Sequence, residues 1–195
     1  MQIEYDCTLS ILVEKQPSML YKITGLLTRR GFKVDSLVIG STEYYKTFRL
    51  IIILPGNMRI VDQITQQLYK LLPVIKIQDL THLPYIRREL ILFKVLATPE
   101  DRSRILEIAT FFRAKILDFA ENILTLEVTG DSEKIIALEQ LIHKFGVLEL
   151  VRTGKIAMIR ESIANTQLFT KQRELNRKKI LHSYITELED KLYLI

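Results

Sequence analysis

Hydrophobic periodicity changes in the same order twice along this 195-residue chain, and that doubled order restricts the fold more than any composition does. Residues 5–13 alternate, with Cys7, Leu9, Ile11 and Val13 on one face, which predicts a half-buried strand. From Ser18 the period turns helical, with Leu20, Ile23, Leu27 and Arg30 on one face, Ser18 as the expected N-cap and Gly31 as the stop. Residues 34–41 and 47–54 read as strands joined by the polar stretch 42–46. A second amphipathic helix runs through Ile60, Val61, Ile64, Leu68 and Leu71 to Leu72, where Pro73 ends it, and residues 74–80 close the unit as a strand.

The order then recurs without sequence identity. Residues 90–97 read as a strand, 102–112 as a helix, 116–119 and 123–129 as strands, 132–144 as a helix capped by Ser132, and 147–152 as a strand. The expected fold class is therefore α+β, two tandem ferredoxin-like β-α-β-β-α-β units. The expected boundaries are 5–81 for the first unit, 82–87 for a linker marked by Pro84, 88–161 for the second unit, and 164–195 for a helical tail. In that tail Leu181, Ile185, Leu188 and Leu192 fall at helical spacing.

Charge and composition exclude several classes. The net charge of +5 is spread as +3 over residues 1–80, zero over 81–163 and +2 over 164–195, so no segment forms a nucleic-acid-grade basic block. A single cysteine excludes an internal disulfide framework, and Cys7 in an apolar strand reads as a small buried hydrophobe rather than a nucleophile. No stretch approaches the roughly 20 uninterrupted apolar residues of a membrane helix. The N-terminus enters its first strand without an apolar h-region or an Arg/Ser-rich transit segment, which predicts that the protein works in the compartment where it is made.

Catalytic chemistry is thin. His82, His143 and His182 have no carboxylate or cysteine at metal-ligand spacing, and with 7 glycines the chain has no phosphate-binding Gly loop. Neither catalytic nor metal-ligating residues are expected. One place has the physics of a site, the turn 14–18 between the first strand and first helix, where free backbone N–H groups and the positive end of a helix dipole favour a carboxylate. An RNA-recognition module shares the element order, but its third strand should carry stacking aromatics, and residues 47–53 offer only Phe48.

The run Glu14-Lys15-Gln16-Pro17-Ser18-Met19-Leu20-Tyr21-Lys22-Ile23-Thr24-Gly25-Leu26, continued by Arg30-Gly31-Phe32-Lys33-Val34-Asp35-Ser36-Leu37, resembles the ACT domain of the small, regulatory subunit of acetolactate synthase. That family reads E-N-x-x-G-x-L-x-R-[IV]-x-G-L-F-x-x-R-G-[FY]-N-[IV]-x-S-L over the same stretch. Residues 88–90, 112–118, 127–131 and 151–157 are similar too, most of all to the cyanobacterial and plastid branch. The resemblance implies a subunit with no cofactor of its own, which binds and activates a large catalytic subunit and confers valine feedback; thiamine diphosphate, Mg and FAD would belong to that large subunit. It further implies a homodimer through the ACT domains, with an amino-acid effector at their interface against Lys15, Pro17, Ser18, Met19, Leu20, Lys33 and Val34. Neither nucleic acid nor membrane is an expected partner.

Where the family has Asn, Gly and Asn, this chain has Lys15, Ser18 and Lys33. An Asn side chain can meet both an ammonium and a carboxylate, whereas a lysine only donates, so weakened or altered valine binding is expected. An ACT-type sensor for another enzyme is the alternative reading. A chain rich in Ile, Lys and Leu and poor in Ala, with the plastid-branch likeness, points to the plastid stroma with the protein encoded there; bacterial cytoplasm is the alternative.

Overall fold

The computed structural model describes residues 5–160. The tail expected at 164–195, with Leu181, Ile185, Leu188, Leu192 and His182, lies outside the described residues.

The first β-α-β-β-α-β unit consists of β1 (Tyr5–Glu14), α1 (Met19–Arg29), β2 (Ser36–Ser41), β3 (Thr47–Gly56), α2 (Met58–Leu68) and β4 (Val74–Asp79). Its sheet is antiparallel in the order β2-β3-β1-β4. The alternation of β1 has the expected consequence: Cys7, Leu9, Ile11 and Val13 are buried, packed with Leu50, Ile52 and Leu54 of β3 beneath Ile23, Leu26 and Leu27 of α1 and Val61, Ile64 and Leu68 of α2. Two details differ from the periodicity. In α1 the core residue is Met19, at 2% exposure, while Leu20 is 41% exposed. Helix α2 stops at Leu68 and leaves Leu72 90% exposed, because the chain leaves the helix in tight turns while the Tyr69 hydroxyl accepts from the Ile77 amide at 3.2 Å.

The second unit repeats the plan with β5 (Tyr85–Leu96), α3 (Pro99–Phe111), β6 (Lys115–Phe119), β7 (Ile123–Gly130), α4 (Ser132–Ile142), a 3₁₀ turn (His143–Phe145) and β8 (Val147–Arg152), in the order β6-β7-β5-β8. Ile91, Phe93 and Val95 of β5 pack with Leu124, Leu126 and Val128 against Ile105, Ala109, Ile135, Leu138 and Ile142. Both helices begin earlier than the periodicity predicts, α3 three residues before the expected start at Arg102 and α4 with its cap one residue before the expected Ser132. Thr98, with Pro99 at the first position, accepts from the Asp101 amide at 3.3 Å. Asp131, not Ser132, accepts from the Lys134 amide at 3.0 Å, since a carboxylate there also complements the helix dipole.

Each unit has a register shift at the same place, between Leu12 and Val13 of β1 against β4 and between Lys94 and Val95 of β5 against β8. The repeat is thus geometric where the sequences differ.

Two features were not in the periodicity. Strand β5 begins at Tyr85, inside the stretch expected to be a linker, and its first four residues pair antiparallel with a ninth strand, β9 (Ile156–Ile159). This ribbon covers the face of the first sheet that the helices leave open: Ala157, Ile159 and Tyr85 pack on Ile51, Ile53 and Leu80. Thr8 and Ser10, on that same face of β1, are buried for this reason, and the Thr8 amide donates to Thr81 Oγ1 at 3.2 Å. The turn into β9 is tight. Gly154 has φ of 86°, and a β-carbon there would lie 2.6 Å from Val38 Cγ2 of β2, beside the Lys155 amide that donates to Ser36 Oγ at 3.4 Å.

Glycine replacements separate these effects. Gly154→Ala should lower the stability of the chain by about 1–3 kcal/mol through positive φ and the Val38 clash. Gly25→Ala, inside α1 with nothing within 4 Å of the added carbon, should raise it by about 0.5–1 kcal/mol. Denaturant midpoints of the two variants check both signs.

Candidate functional site

The turn after β1 is shaped by backbone bonds. Glu14 closes the strand by donating its amide to Pro73 O at 2.8 Å, and Lys15 donates to Lys46 O at 2.7 Å, which ties the turn to the β2–β3 connection. Gln16 O accepts from the Met19 amide at 3.1 Å, and its side chain donates to Glu14 Oε2 at 2.9 Å. Helix α1 then starts with Ser18 at the cap position, but the Ser18 hydroxyl accepts no capping bond and the first turn has no acidic residue. The positive end of α1 is therefore uncompensated by a side-chain cap or a first-turn carboxylate.

A cleft of about 680 Å³ opens beside this turn, between residues 15–17 and the β2–β3 connection from Ser41 to Phe48. Lys15 Nζ lies over the Phe48 ring at 5.3 Å, and Lys46 Nζ over the Tyr45 ring at 5.4 Å. The Thr42 and Thr47 hydroxyls bond each other across the base of the connection, and Thr47 Oγ1 donates to Tyr44 O at 2.9 Å.

The seven residues expected at an effector site separate into groups. Lys15 and Pro17 line the cleft, and Ser18 and Leu20 are exposed at the start of α1. Met19 points into the hydrophobic core and offers a ligand only its backbone. Lys33 and Val34 are elsewhere: Lys33 lines a cleft of about 200 Å³ with Phe32, Leu54, Pro55 and Ile60. The Lys15 end of the unit adjoins Thr47 and the Lys33 end adjoins Leu54, seven strand residues or about 23 Å apart. One small ligand cannot touch Lys15 and Lys33 of the same chain. The cation that stands beside Lys15 is Lys46, which periodicity passed over as part of a polar connection; no sequence pattern marked it.

Other titratable chemistry is sparse. Among the described residues no group of three or more His, Cys, Asp or Glu residues could hold a metal ion, and no helix is long and apolar enough to cross a membrane. Burial raises the pKa of the Cys7 thiol, and the Asp79 charge raises it further, against a smaller opposing contribution from Thr81.

Two four-stranded β-α-β-β-α-β units in tandem, the first with a bare helix N-terminus after its central strand, define an ACT-like protein. Residues 9–76 match the family described as the AHAS small subunit-like ACT domain, and residues 88–161 match the family described as the small subunit of acetolactate synthase. The chain belongs to the family of acetolactate synthase small subunits. A probable small subunit from Methanothermobacter thermautotrophicus is 45% identical over 155 residues, 79% of this chain and 92% of that one. Small subunit 2 of Arabidopsis thaliana, a chloroplastic protein, is 42% identical over 80% of this chain, which spans only 32% of the plant protein. The crystal structure of the acetolactate synthase small subunit from Thermotoga maritima superposes with a TM-score of 0.77 at 34% identity, covering 82% of this chain and 99% of that one.

The state of Cys7 gives a direct check on the first core. Because the thiolate is disfavoured and the side chain is buried, alkylation by iodoacetamide at mildly alkaline pH should be at least a hundredfold slower in the folded chain than in denaturant. Comparable rates would show that β1 is not packed as described.

Proposed function

We propose that this chain is a non-catalytic regulatory subunit, which binds the thiamine-diphosphate-dependent large subunit of acetolactate synthase, raises its activity and carries the effector response of the complex. The observation that carries this reading is likeness to small subunits at 41–45% identity over both units rather than over the ACT unit alone. An ACT-type sensor grafted onto another enzyme would share the first unit without the second. An RNA-binding module is disfavoured on physical grounds, since the sheet face it would use holds Ile51 and Ile53 buried under the β5–β9 ribbon.

The active-site groups of the reaction, thiamine diphosphate, Mg and FAD, belong in this reading to the large subunit. The effector site is the β1–α1 turn, completed by a second copy of the chain. Lys33 and Val34 reach the ligand from that second copy, because the span within one chain is too long. The exposed edge strand β2 suits side-by-side pairing of two first units, which would cover its unpaired backbone groups. The compartment we favour is the plastid stroma, on the Ile-, Lys- and Leu-rich composition and the chloroplastic relatives; a bacterial cytoplasm is the alternative.

Reconstitution tests the reading. The chain alone should form no acetolactate from pyruvate, and adding it to the cognate large subunit should raise acetolactate formation several-fold; no effect on the large subunit would refute the assignment. Feedback by valine should be weak. The triple variant Lys15→Asn, Ser18→Gly, Lys33→Asn should tighten valine binding by about ten- to a hundredfold, the worth of one hydrogen bond to a charged group. Calorimetric titration with valine reads this directly, and a micromolar dissociation constant for the unaltered chain would contradict it.

A further inference from the structure

The cleft beside the β1–α1 turn has a charge pattern that fits an anion better than a zwitterion. Its charged lining is Lys15 and Lys46, with no aspartate or glutamate among its lining residues. The 2.7 Å bond from the Lys15 amide to Lys46 O fixes the two residues next to each other. Each ammonium lies against an aromatic face, 5.3 Å from Phe48 and 5.4 Å from Tyr45, and neither forms an ion pair among the described residues. The neighbouring acids lie outside the lining: Glu14 accepts from the Gln16 amide at 2.9 Å, and Glu43 stands in the connection between Thr42 and Tyr44. The first turn of α1 adds a partial positive charge with no acidic residue against it.

A carboxylate entering this cleft meets two ammonium groups, next to the turn that leads into α1. The ammonium of an α-amino acid would enter the same field and find only neutral acceptors among this chain's lining residues, so it meets desolvation and repulsion with no charged partner in that lining. A carbonyl oxygen in its place can accept from a lysine or a hydroxyl. The apolar part of the lining, Pro17 and Phe48, suits a short aliphatic chain.

We infer that the cleft selects small aliphatic 2-oxo carboxylates over the amino acids of the same carbon skeleton, with Lys46 as the residue that sets this preference. The inference rests on the β1–α1 turn being the effector site and names the ligand class that this chain's residues favour there. Lys46 has φ of 61°, a conformation that asparagine tolerates better than most side chains, so Lys46→Asn removes the charge without adding strain.

The test titrates the full chain by calorimetry with 3-methyl-2-oxobutanoate and with valine, which differ only in the oxo or ammonium group. The oxo acid should bind at least tenfold more tightly, its affinity should fall with added salt, and Lys46→Asn should reduce that preference at least fivefold. Valine binding as tight as or tighter than the oxo acid, with both ligands weakened by Lys15→Ala, would overturn the inference and leave the turn as the effector site. Binding of neither ligand, or binding indifferent to Lys15→Ala, would overturn both.

Discussion

Strand β5 is the piece on which the rest of the structure depends. Its odd-numbered residues face two different cores in succession: Tyr85 packs on the first sheet, and Ile91, Phe93 and Val95 then pack beneath α3 and α4. Side chains alternate with a period of two, so a slip of one residue would turn both sets outward together. The register is held from both sides, by β9 at Tyr85–Arg88 and by β7 and β8 beyond. Two ferredoxin-like units that could have been joined by a free linker are thereby fastened into one body that extends to Ile159.

The same fastening bears on how a ligand at one end could be felt at the other. The face of the first sheet opposite its helices, which in an isolated unit would meet water, is buried under the β5–β9 ribbon at Ile51 and Ile53. The turn before β9 rests on Ser36 and Val38 of β2, the strand that follows Lys33 and Val34. A displacement of β2 relative to β3 would press directly on the Gly154 turn, where there is no spare volume for even one methyl group. The β1–α1 turn connects to the same sheet through the Lys15 amide and Lys46 O.

Much of this was legible in the residues. Eight strands and four helices are visible as changes of period, clearest where one face is buried, as in the alternation of Cys7, Leu9, Ile11 and Val13. What escaped was set by distant partners. Strand β9 has only Ile156–Ile159, too short to show a period, and it exists because Tyr85–Arg88 lies across from it. The start of α3 is set by the Thr98 cap followed by Pro99, ahead of the first apolar repeat, and that of α4 by which of two adjacent polar residues, Asp131 or Ser132, caps. Met19 rather than Leu20 faces the core because it continues the i, i+4, i+7, i+8 stripe of Ile23, Leu26 and Leu27. The site was half legible: a helix N-terminus after β1 followed from the strand-to-helix order, but the missing cap at Ser18 and the pairing of Lys15 with Lys46 are facts of the fold. No spacing in the sequence distinguishes Lys46 from Lys33 as the neighbour of Lys15.

If β5 locks the two units into one body, they should open together. Native-state hydrogen exchange on the full chain measures this at Ile53 of β3 and Phe93 of β5, which sit in different cores. The structure predicts opening free energies for the two amides within about 1 kcal/mol of each other and equal to the global stability. A difference of more than about 2 kcal/mol between them would show two independently opening units, and would contradict the fastening by β5 and β9.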